Sequence, residues 1–115
     1  MNENDQNVKS TISTTSYEPF MLGDKQVGEV HWLTQTNSNG QPTYSGLWRC
    51  EPLTFEYEFP GDEIFHVLQG SLQIAISDGN VVQVQQGDIV AFKKGLKSVW
   101  TIHSPFKKFF VISNC

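Results

Sequence analysis

Residues 71–85, SLQIAISDGNVVQVQ, decide the fold, because two alternating runs flank a short turn. The first run places Leu72, Ile74 and Ile76 on one face and small or polar residues on the other. A period of two is typical of a half-buried β-strand. The Asp-Gly pair between the runs favours a tight turn, since glycine adopts the left-handed backbone that such turns need. The stretch therefore predicts an antiparallel β-hairpin.

The same alternation continues through the rest of the chain. In residues 53–59, LTFEYEF, four large apolar side chains fall on one face, while Glu56 and Glu58 fall on the opposite, wet face. Turns rich in glycine, proline and asparagine separate such runs at intervals of roughly 8 to 12 residues. The pattern predicts an all-β sandwich or barrel, with a single domain over residues 17–115. The polar residues 1–16 are expected to form a flexible N-terminal tail, or an exchange arm that orders against a partner.

Composition excludes several classes of function. The 115 residues suffice for one domain, and the formal net charge of -4 argues against a nucleic-acid partner. No apolar run approaches the roughly 20 residues that cross a bilayer, and the polar N-terminus lacks the apolar core of a secretory signal. We therefore expect a cytoplasmic protein with no membrane partner. In a reducing cytosol, Cys50 and Cys115 are expected to be free thiols. Neither belongs to a Cys-x-x-Cys pair, so a zinc knuckle or a thioredoxin-like site is not expected.

Two motifs flank the hairpin in sequence order. Residues 63–70, EIFHVLQG, begin with a glutamate and end with a glycine, and residues 87–95, GDIVAFKKG, follow a Gly-Asp turn with a short strand and a second glycine. In this order and spacing they resemble the two motifs of the cupin superfamily. Over residues 44–113 the chain is also similar to the (S)-ureidoglycine aminohydrolase-type cupin domain family, through Gly46–Cys50, Asp62-Glu63, Gly87-Asp88, Trp100 and Lys108. The resemblance implies a cupin fold, which is an RmlC-like jelly-roll barrel or double-stranded β-helix.

The resemblance also implies where a metal ion would be held. Metal-binding cupins resemble one another in a His-x-His pair and a glutamate from the first motif, and a histidine from the second. In this chain the pair falls on Tyr57 and Phe59, the glutamate on Glu63 and the last histidine on Ser98. One carboxylate, a phenol and a hydroxyl do not build a tight transition-metal site. We therefore expect a barrel without a metal or any other cofactor.

Glu63 is the candidate functional residue of this barrel. It shares a strand face with Phe65, so we expect it to point into an aromatic interior as a solitary carboxylate. Partial loss of solvent would favour its neutral form and make it an acid or base, whereas bonds to backbone N–H groups would give it a structural role. Tyr57 is its candidate partner in proton transfer, because a buried phenol needs a hydrogen bond. The expected ligand contacts, which could also be plain core packing, are Trp48, Phe59, Phe65, Ser98 and Trp100.

Strand parity separates the histidines from Glu63. His66 falls on the opposite face of its strand, and His103 falls on the opposite face from Trp100. A three-histidine metal site is therefore not expected. Residues 63–69 are apolar on both faces, which predicts a central strand whose outer face is covered by the second subunit of a homodimer.

Three functions remain open from the sequence. A metal-free cupin protein would bind an unknown small polar molecule between the aromatic residues and Glu63. A metal-independent enzyme of the isomerase or lyase type would use Glu63 and Tyr57 as acid and base. A structural protein would keep the same fold with its barrel filled by side chains. Small-molecule binding is the leading hypothesis.

Overall fold

The computed structural model describes residues 7–35 and 42–115, and within these ranges it contains ten β-strands and no helix able to cross a membrane. The strands are β1 (Glu18–Leu22), β2 (Lys25–Thr34), β3 (Tyr44–Cys50), β4 (Thr54–Glu58), β5 (Asp62–Gln69), β6 (Ser71–Ile76), β7 (Val81–Gln85), β8 (Ile89–Phe92), β9 (Lys97–Ile102) and β10 (Phe106–Ser113). The all-β architecture predicted from the alternation is confirmed.

The strands form two antiparallel sheets that enclose the core. The larger sheet has the order β1-β2-β3-β10-β5-β8, and the smaller has the order β4-β9-β6-β7. Strands that follow one another in the chain often lie in different sheets, as β4 and β5 do across the short turn at residues 59–61. Repeated passage between two sheets is the arrangement of a jelly roll, so the fold implied by the resemblance is confirmed.

Residues 71–85 form the predicted hairpin. β6 and β7 pair antiparallel, with Leu72 opposite Val84, and both side chains are buried. The Asp78 carboxylate accepts the backbone N–H of Asn80 at 2.8 Å, which holds the turn. The apolar face of the hairpin packs into the core through Leu72, Ile74, Ile76 and Val84.

Aromatic side chains fill most of the space between the sheets. Trp100 on β9 lies at the centre of this cluster. Its ring centroid is 5.6 to 5.8 Å from those of Phe55, Tyr57, Phe65 and Trp48. Such ring pairs contribute about 0.5 to 1.5 kcal/mol each beyond the burial of their area. Trp100 therefore connects the two sheets across the middle of the barrel.

One glycine allows Trp48 to reach the interior. Gly28 in β2 has a φ of 72°, and a Cβ at this position would collide with the carbonyl oxygen of Arg49 on β3. The adjacent Val27 carbonyl accepts the indole N–H of Trp48 at 3.0 Å. The close approach of β2 to β3 therefore fixes a tryptophan of the barrel wall.

Residues 7–16 lie outside the strands, against the outer face of the larger sheet. The Ser10 hydroxyl is hydrogen-bonded to His31 Nε2 at 2.7 Å, and the Lys107 ammonium donates to the Ile12 carbonyl at 3.3 Å. The first six residues of the predicted tail lie outside the described ranges.

The rest of this outer face carries exposed apolar side chains on β5, β8 and β10. Ile64, Ile89 and Phe109 are exposed by 54%, 71% and 37%. His66 lies among them, opposite Phe109 on one side and Ile89 on the other. The predicted orientation of His66, away from Glu63, is therefore confirmed, and a second subunit on this face stays a prediction.

Candidate functional site

Glu63 is buried between the two sheets, on the inner face of β5, with 1% of its surface exposed. Its Oε2 accepts a hydrogen bond from Lys108 Nζ on β10 at 2.5 Å. Its Oε1 accepts a hydrogen bond from the Tyr57 hydroxyl on β4 at 3.2 Å. The expectation of a solitary carboxylate was wrong, because a cation from the neighbouring strand shares its burial. The predicted contact between Glu63 and Tyr57 is present.

Lys108 and Glu63 meet along adjacent strands rather than directly opposite each other. In the pairing of β5 with β10, Glu63 is opposite Ile112, and Lys108 is opposite Val67. Four residues along a strand span about 13 Å, a distance that an extended lysine and an extended glutamate close together. Their side chains therefore run over Phe65, which lies between them on β5. A shorter cation at position 108 would not reach the carboxylate.

Aromatic rings surround the Lys108 ammonium. Its Nζ lies 4.4 Å from the ring centroid of Phe65, 4.7 Å from Trp100, 5.2 Å from Trp48 and 5.5 Å from Phe110. All four distances fall within the range of about 6 Å in which a cation is attracted to the face of a ring. The rings and the carboxylate together replace the water that the ammonium loses on burial.

Burial changes the proton affinity of both groups that contact Glu63. Loss of hydration lowers the pKa of Lys108, although the adjacent Glu63 carboxylate acts in the opposite direction. Burial raises the pKa of Tyr57, and the charge of Glu63 and the hydrogen bond to it add to the rise. Tyr57 therefore keeps its proton at neutral pH and acts as a hydrogen-bond donor to Glu63. Lys108 releases its proton more readily than an exposed lysine does.

A cavity of about 40 Å³ adjoins Glu63, Lys108 and Tyr57. This volume holds about one or two water molecules. Phe20 on β1 and Trp32 on β2 are only half-buried, so the cavity approaches solvent on that side. Its other walls are formed by Val30, Trp48, Phe55, Trp100, Phe110 and Ile112.

The aromatic residues expected to contact a ligand lie at different positions. Trp48 and Trp100 line the cavity. Phe65 lies beneath the Lys108 ammonium, and Phe59 is stacked on Phe92 with centroids 4.7 Å apart. The two tryptophans are therefore in a position to touch a ligand, whereas the two phenylalanines support the wall behind them.

Ser98, the remaining expected contact, is used within the protein. Its hydroxyl donates to the Tyr57 carbonyl at 2.6 Å and accepts the indole N–H of Trp100 at 3.0 Å. Ser98 thus links the backbone of β4 to the ring at the centre of the core. Its place in the structure is that of a positioning residue for Trp100.

The positions that hold metal ligands in other cupins do not fit a metal in this chain. Glu63 is paired with Lys108, the Tyr57 hydroxyl is bonded to Glu63, and Ser98 is bonded to Trp100. Within residues 7–35 and 42–115, no three side chains of histidine, cysteine, aspartate or glutamate lie together. The Lys108 ammonium therefore already occupies the place beside Glu63 that a metal cation would need.

The two cysteines are free thiols, as expected. Burial raises the pKa of the Cys50 thiol to about 11, so little thiolate forms at neutral pH. Cys115 is exposed at the end of the chain.

Lys108 is the central residue that the sequence reasoning left without a role. In residues 106–112, FKKFFVI, it alternates in phase with Phe106, Phe110 and Ile112, all of which are buried. This phase was the available signal, because three apolar partners of one strand face predict that the fourth also points inward.

Residues 37–110 match the EutQ-like cupin domain family. No curated protein matches the chain. Among solved structures, a DUF861 family protein from Thermotoga maritima is 28% identical with a TM-score of 0.55, over 56% of this chain and 73% of its own. The EutQ protein of Clostridium difficile is 23% identical with a TM-score of 0.66, over 78% of this chain and 69% of its own. A DUF1255 protein of unknown function from Acidithiobacillus ferrooxidans is 15% identical with a TM-score of 0.67, over 96% of this chain and 97% of its own.

These likenesses agree with the jelly roll described above. The two structures of lower identity share the fold and carry no information about function. The likeness to (S)-ureidoglycine aminohydrolase-type domains in particular stays a prediction.

Proposed function

Because the chain belongs to the EutQ-like cupin domain family, we propose that it binds a small polar molecule inside its barrel, where Lys108, Glu63 and Tyr57 meet. The observation that carries the proposal is the buried Glu63–Lys108 ion pair in the wall of a cavity. The ligand would lie between these groups and the two tryptophans, Trp48 and Trp100.

Stability alone does not account for this ion pair. Burying each ion costs several kcal/mol, and replacing a buried pair with apolar side chains of similar size is often neutral or stabilising. The surroundings of the pair are aromatic, so an apolar replacement would pack among like side chains. Buried ionisable groups that line a cavity are characteristic of binding and catalytic sites.

The donors of Lys108 define the class of ligand. An ammonium has three N–H groups, and Glu63 Oε2 accepts one of them. The aromatic rings that face the ammonium accept only weakly, so an oxygen of a ligand would be a better partner. The proposed ligand is therefore a carbonyl or carboxylate compound. The cavity of about 40 Å³ restricts it to a few non-hydrogen atoms as the barrel stands.

A metal-independent enzyme of the isomerase or lyase type is the second candidate. The observation that favours it is the hydrogen bond from the Tyr57 hydroxyl to Glu63 beside the cavity. Tyr57 would serve as the acid and Glu63 as the base, and the hydrogen bond between them would carry the proton. Turnover that is abolished by Glu63→Gln in a folded protein would support this candidate.

The structural alternative is favoured by a different observation, the small size of the cavity. Side chains occupy most of the barrel, and about 40 Å³ remains beside the ion pair. In a structural protein the Glu63–Lys108 pair would only help to fill the barrel, and no small molecule would bind.

Ligand binding tests the proposal directly. We expect small carboxylates and carbonyl compounds to raise the melting temperature of the protein, since a ligand at 100 times its Kd stabilises the folded state by about 2.7 kcal/mol. Lys108→Met should abolish the rise, and the matched control Lys107→Met on the same strand should keep it. Compounds that bind both variants equally, or no compound at all, would contradict the proposal.

We further propose that two copies associate through the exposed apolar face of the larger sheet. Ile64, Ile89 and Phe109 form this face together with His66, and their exposure is costly in a monomer. An exposed apolar patch of this kind suits a two-fold homodimer, in which both copies use the same residues. We also propose that the protein is cytoplasmic.

A further inference from the structure

We propose that Lys108 is a nucleophile that forms an imine with a small aldehyde or ketone held in the barrel cavity. The inference rests on the proposed function, because it assigns the ligand to the same cavity, and it narrows the ligand class to carbonyl compounds. It also gives Glu63 a defined part, as the group that moves protons between Lys108 and the carbonyl oxygen.

Three features of the geometry carry the inference. Lys108 is one of the residues that line the cavity, and 5% of its surface is exposed. Four aromatic rings surround the amine and favour substrates with a small apolar part. Glu63 is in direct hydrogen-bond contact with the amine, which is the separation that proton transfer needs.

A lysine must be neutral to attack a carbonyl carbon, and this site supplies a route to the neutral form. In water the neutral fraction of a lysine at pH 7 is on the order of one in a few thousand. The hydrogen bond from Lys108 Nζ to Glu63 Oε2 is the path by which the proton leaves the amine, and this transfer converts two buried charges into two neutral groups. Loss of hydration, which lowers the pKa of Lys108, favours the same transfer.

Imine formation with an aldehyde proceeds in two stages, through a carbinolamine. The neutral Lys108 amine forms a C–N bond to the carbonyl carbon, and the oxygen takes the proton that Glu63 received, which gives a carbinolamine. Glu63 then removes a proton from the nitrogen and delivers it to the hydroxyl, which leaves as water. The product is an iminium ion paired with the Glu63 carboxylate, so one ion pair has replaced another. No oxidant or reductant takes part.

Tyr57 is a positioning residue in this scheme. Its hydroxyl donates to Glu63 Oε1, which leaves Oε2 as the oxygen that faces Lys108. The carboxylate is therefore held with one oxygen fixed and the other available for proton transfer.

Trapping with a hydride tests the inference in the unmodified protein. The folded protein is incubated at pH 7 with acetaldehyde and sodium cyanoborohydride, and the alkylated lysines are located by tandem mass spectrometry. Lys107 is the matched internal control, since it follows Phe106 on the same strand and is half-buried on the outer face. We expect the adduct at Lys108 to exceed that at Lys107, because the Lys108 amine shares a hydrogen bond with Glu63, which can accept its proton, and because burial lowers the pKa of Lys108.

Benzaldehyde provides the second arm, because it is too large for a cavity of about 40 Å³. It should modify Lys107 and leave Lys108 unmodified. Lys108→Arg, which keeps the charge but has no nucleophilic amine, should lose the selective adduct, and the wild-type comparison stands even if this variant does not fold.

Modification of Lys108 that does not exceed that of Lys107, or that appears only after unfolding in urea, would overturn the inference. That result is distinguishable from failure of the proposed function. If small carboxylates still raise the melting temperature of the wild type and not of Lys108→Met, the barrel binds a polar ligand without covalent chemistry.

Discussion

The substitution Lys108→Met tests the central ion pair most sharply. Methionine keeps an unbranched stem among the aromatic rings, so it removes the charge with little loss of packing. Glu63 would then stay buried with Tyr57 as its remaining side-chain donor. Breaking a buried pair in this way costs about 3 to 5 kcal/mol, because the remaining charge has no counter-ion.

The size of the effect is large for a chain of 115 residues. The entropy of unfolding of a domain of this length implies a fall in melting temperature of about 4 °C per kcal/mol. We therefore expect Lys108→Met to lower the melting temperature by about 12 to 20 °C. The double variant Glu63→Gln with Lys108→Met should recover about 2 kcal/mol or more, since a neutral amide replaces the unpaired carboxylate and still accepts from Tyr57.

Urea unfolding at pH 7 provides the assay for this double-mutant cycle. The control Lys107→Met should change the free energy of unfolding by about 0.5 kcal/mol or less, as is usual for surface positions. The reasoning is refuted if Lys108→Met costs less than about 1 kcal/mol, or if the double variant is no more stable than the single one.

Three further predictions follow from other parts of the structure. The Asp62 carboxylate accepts the backbone N–H of Lys94, in the turn between β8 and β9, and this hydrogen bond lowers the pKa of Asp62. This stabilisation is present above pH 3.8 and is lost as the pH falls, so the stability advantage of wild type over Asp62→Asn in urea should vanish below that pH. A thiol reagent should modify Cys115 in the native chain and Cys50 only after unfolding, and equal rates would contradict the burial of Cys50. Light scattering should show that Ile89→Glu converts a dimer to a monomer, while Val99→Glu on the other sheet does not; a monomeric wild type would refute the dimer.

The fold was predictable because its signal is local. Alternation in residues 53–59 and 71–85 fixes which side chains face inward, and each run depends only on its own sequence. The placement of His66 on the outer face followed from the same parity. Phe55 and Phe59 are buried, and Glu56 and Glu58 between them are exposed, which confirms the strand faces predicted for residues 53–59.

The partner of Glu63 was not predictable in the same way. Lys108 lies far along the chain, and its contact depends on how β5 and β10 are paired. That pairing shifts by an irregularity between Lys107 and Lys108, which no local pattern reveals. The parity of Lys108 could be inferred, but its distance from Glu63 could not. The volume of the cavity was also out of reach, because it depends on how several rings pack against one another.

The distribution of tryptophan gives the protein a built-in optical reporter. The chain has three tryptophans, and Trp32, Trp48 and Trp100 all line the cavity beside the ion pair. The indole emission of the protein therefore arises around this one space. A molecule that reaches Lys108, or a change in the charge of the pair, will alter the spectrum of unlabelled protein. Occupancy of the barrel can thus be followed in real time without a dye, a label or a coupled assay.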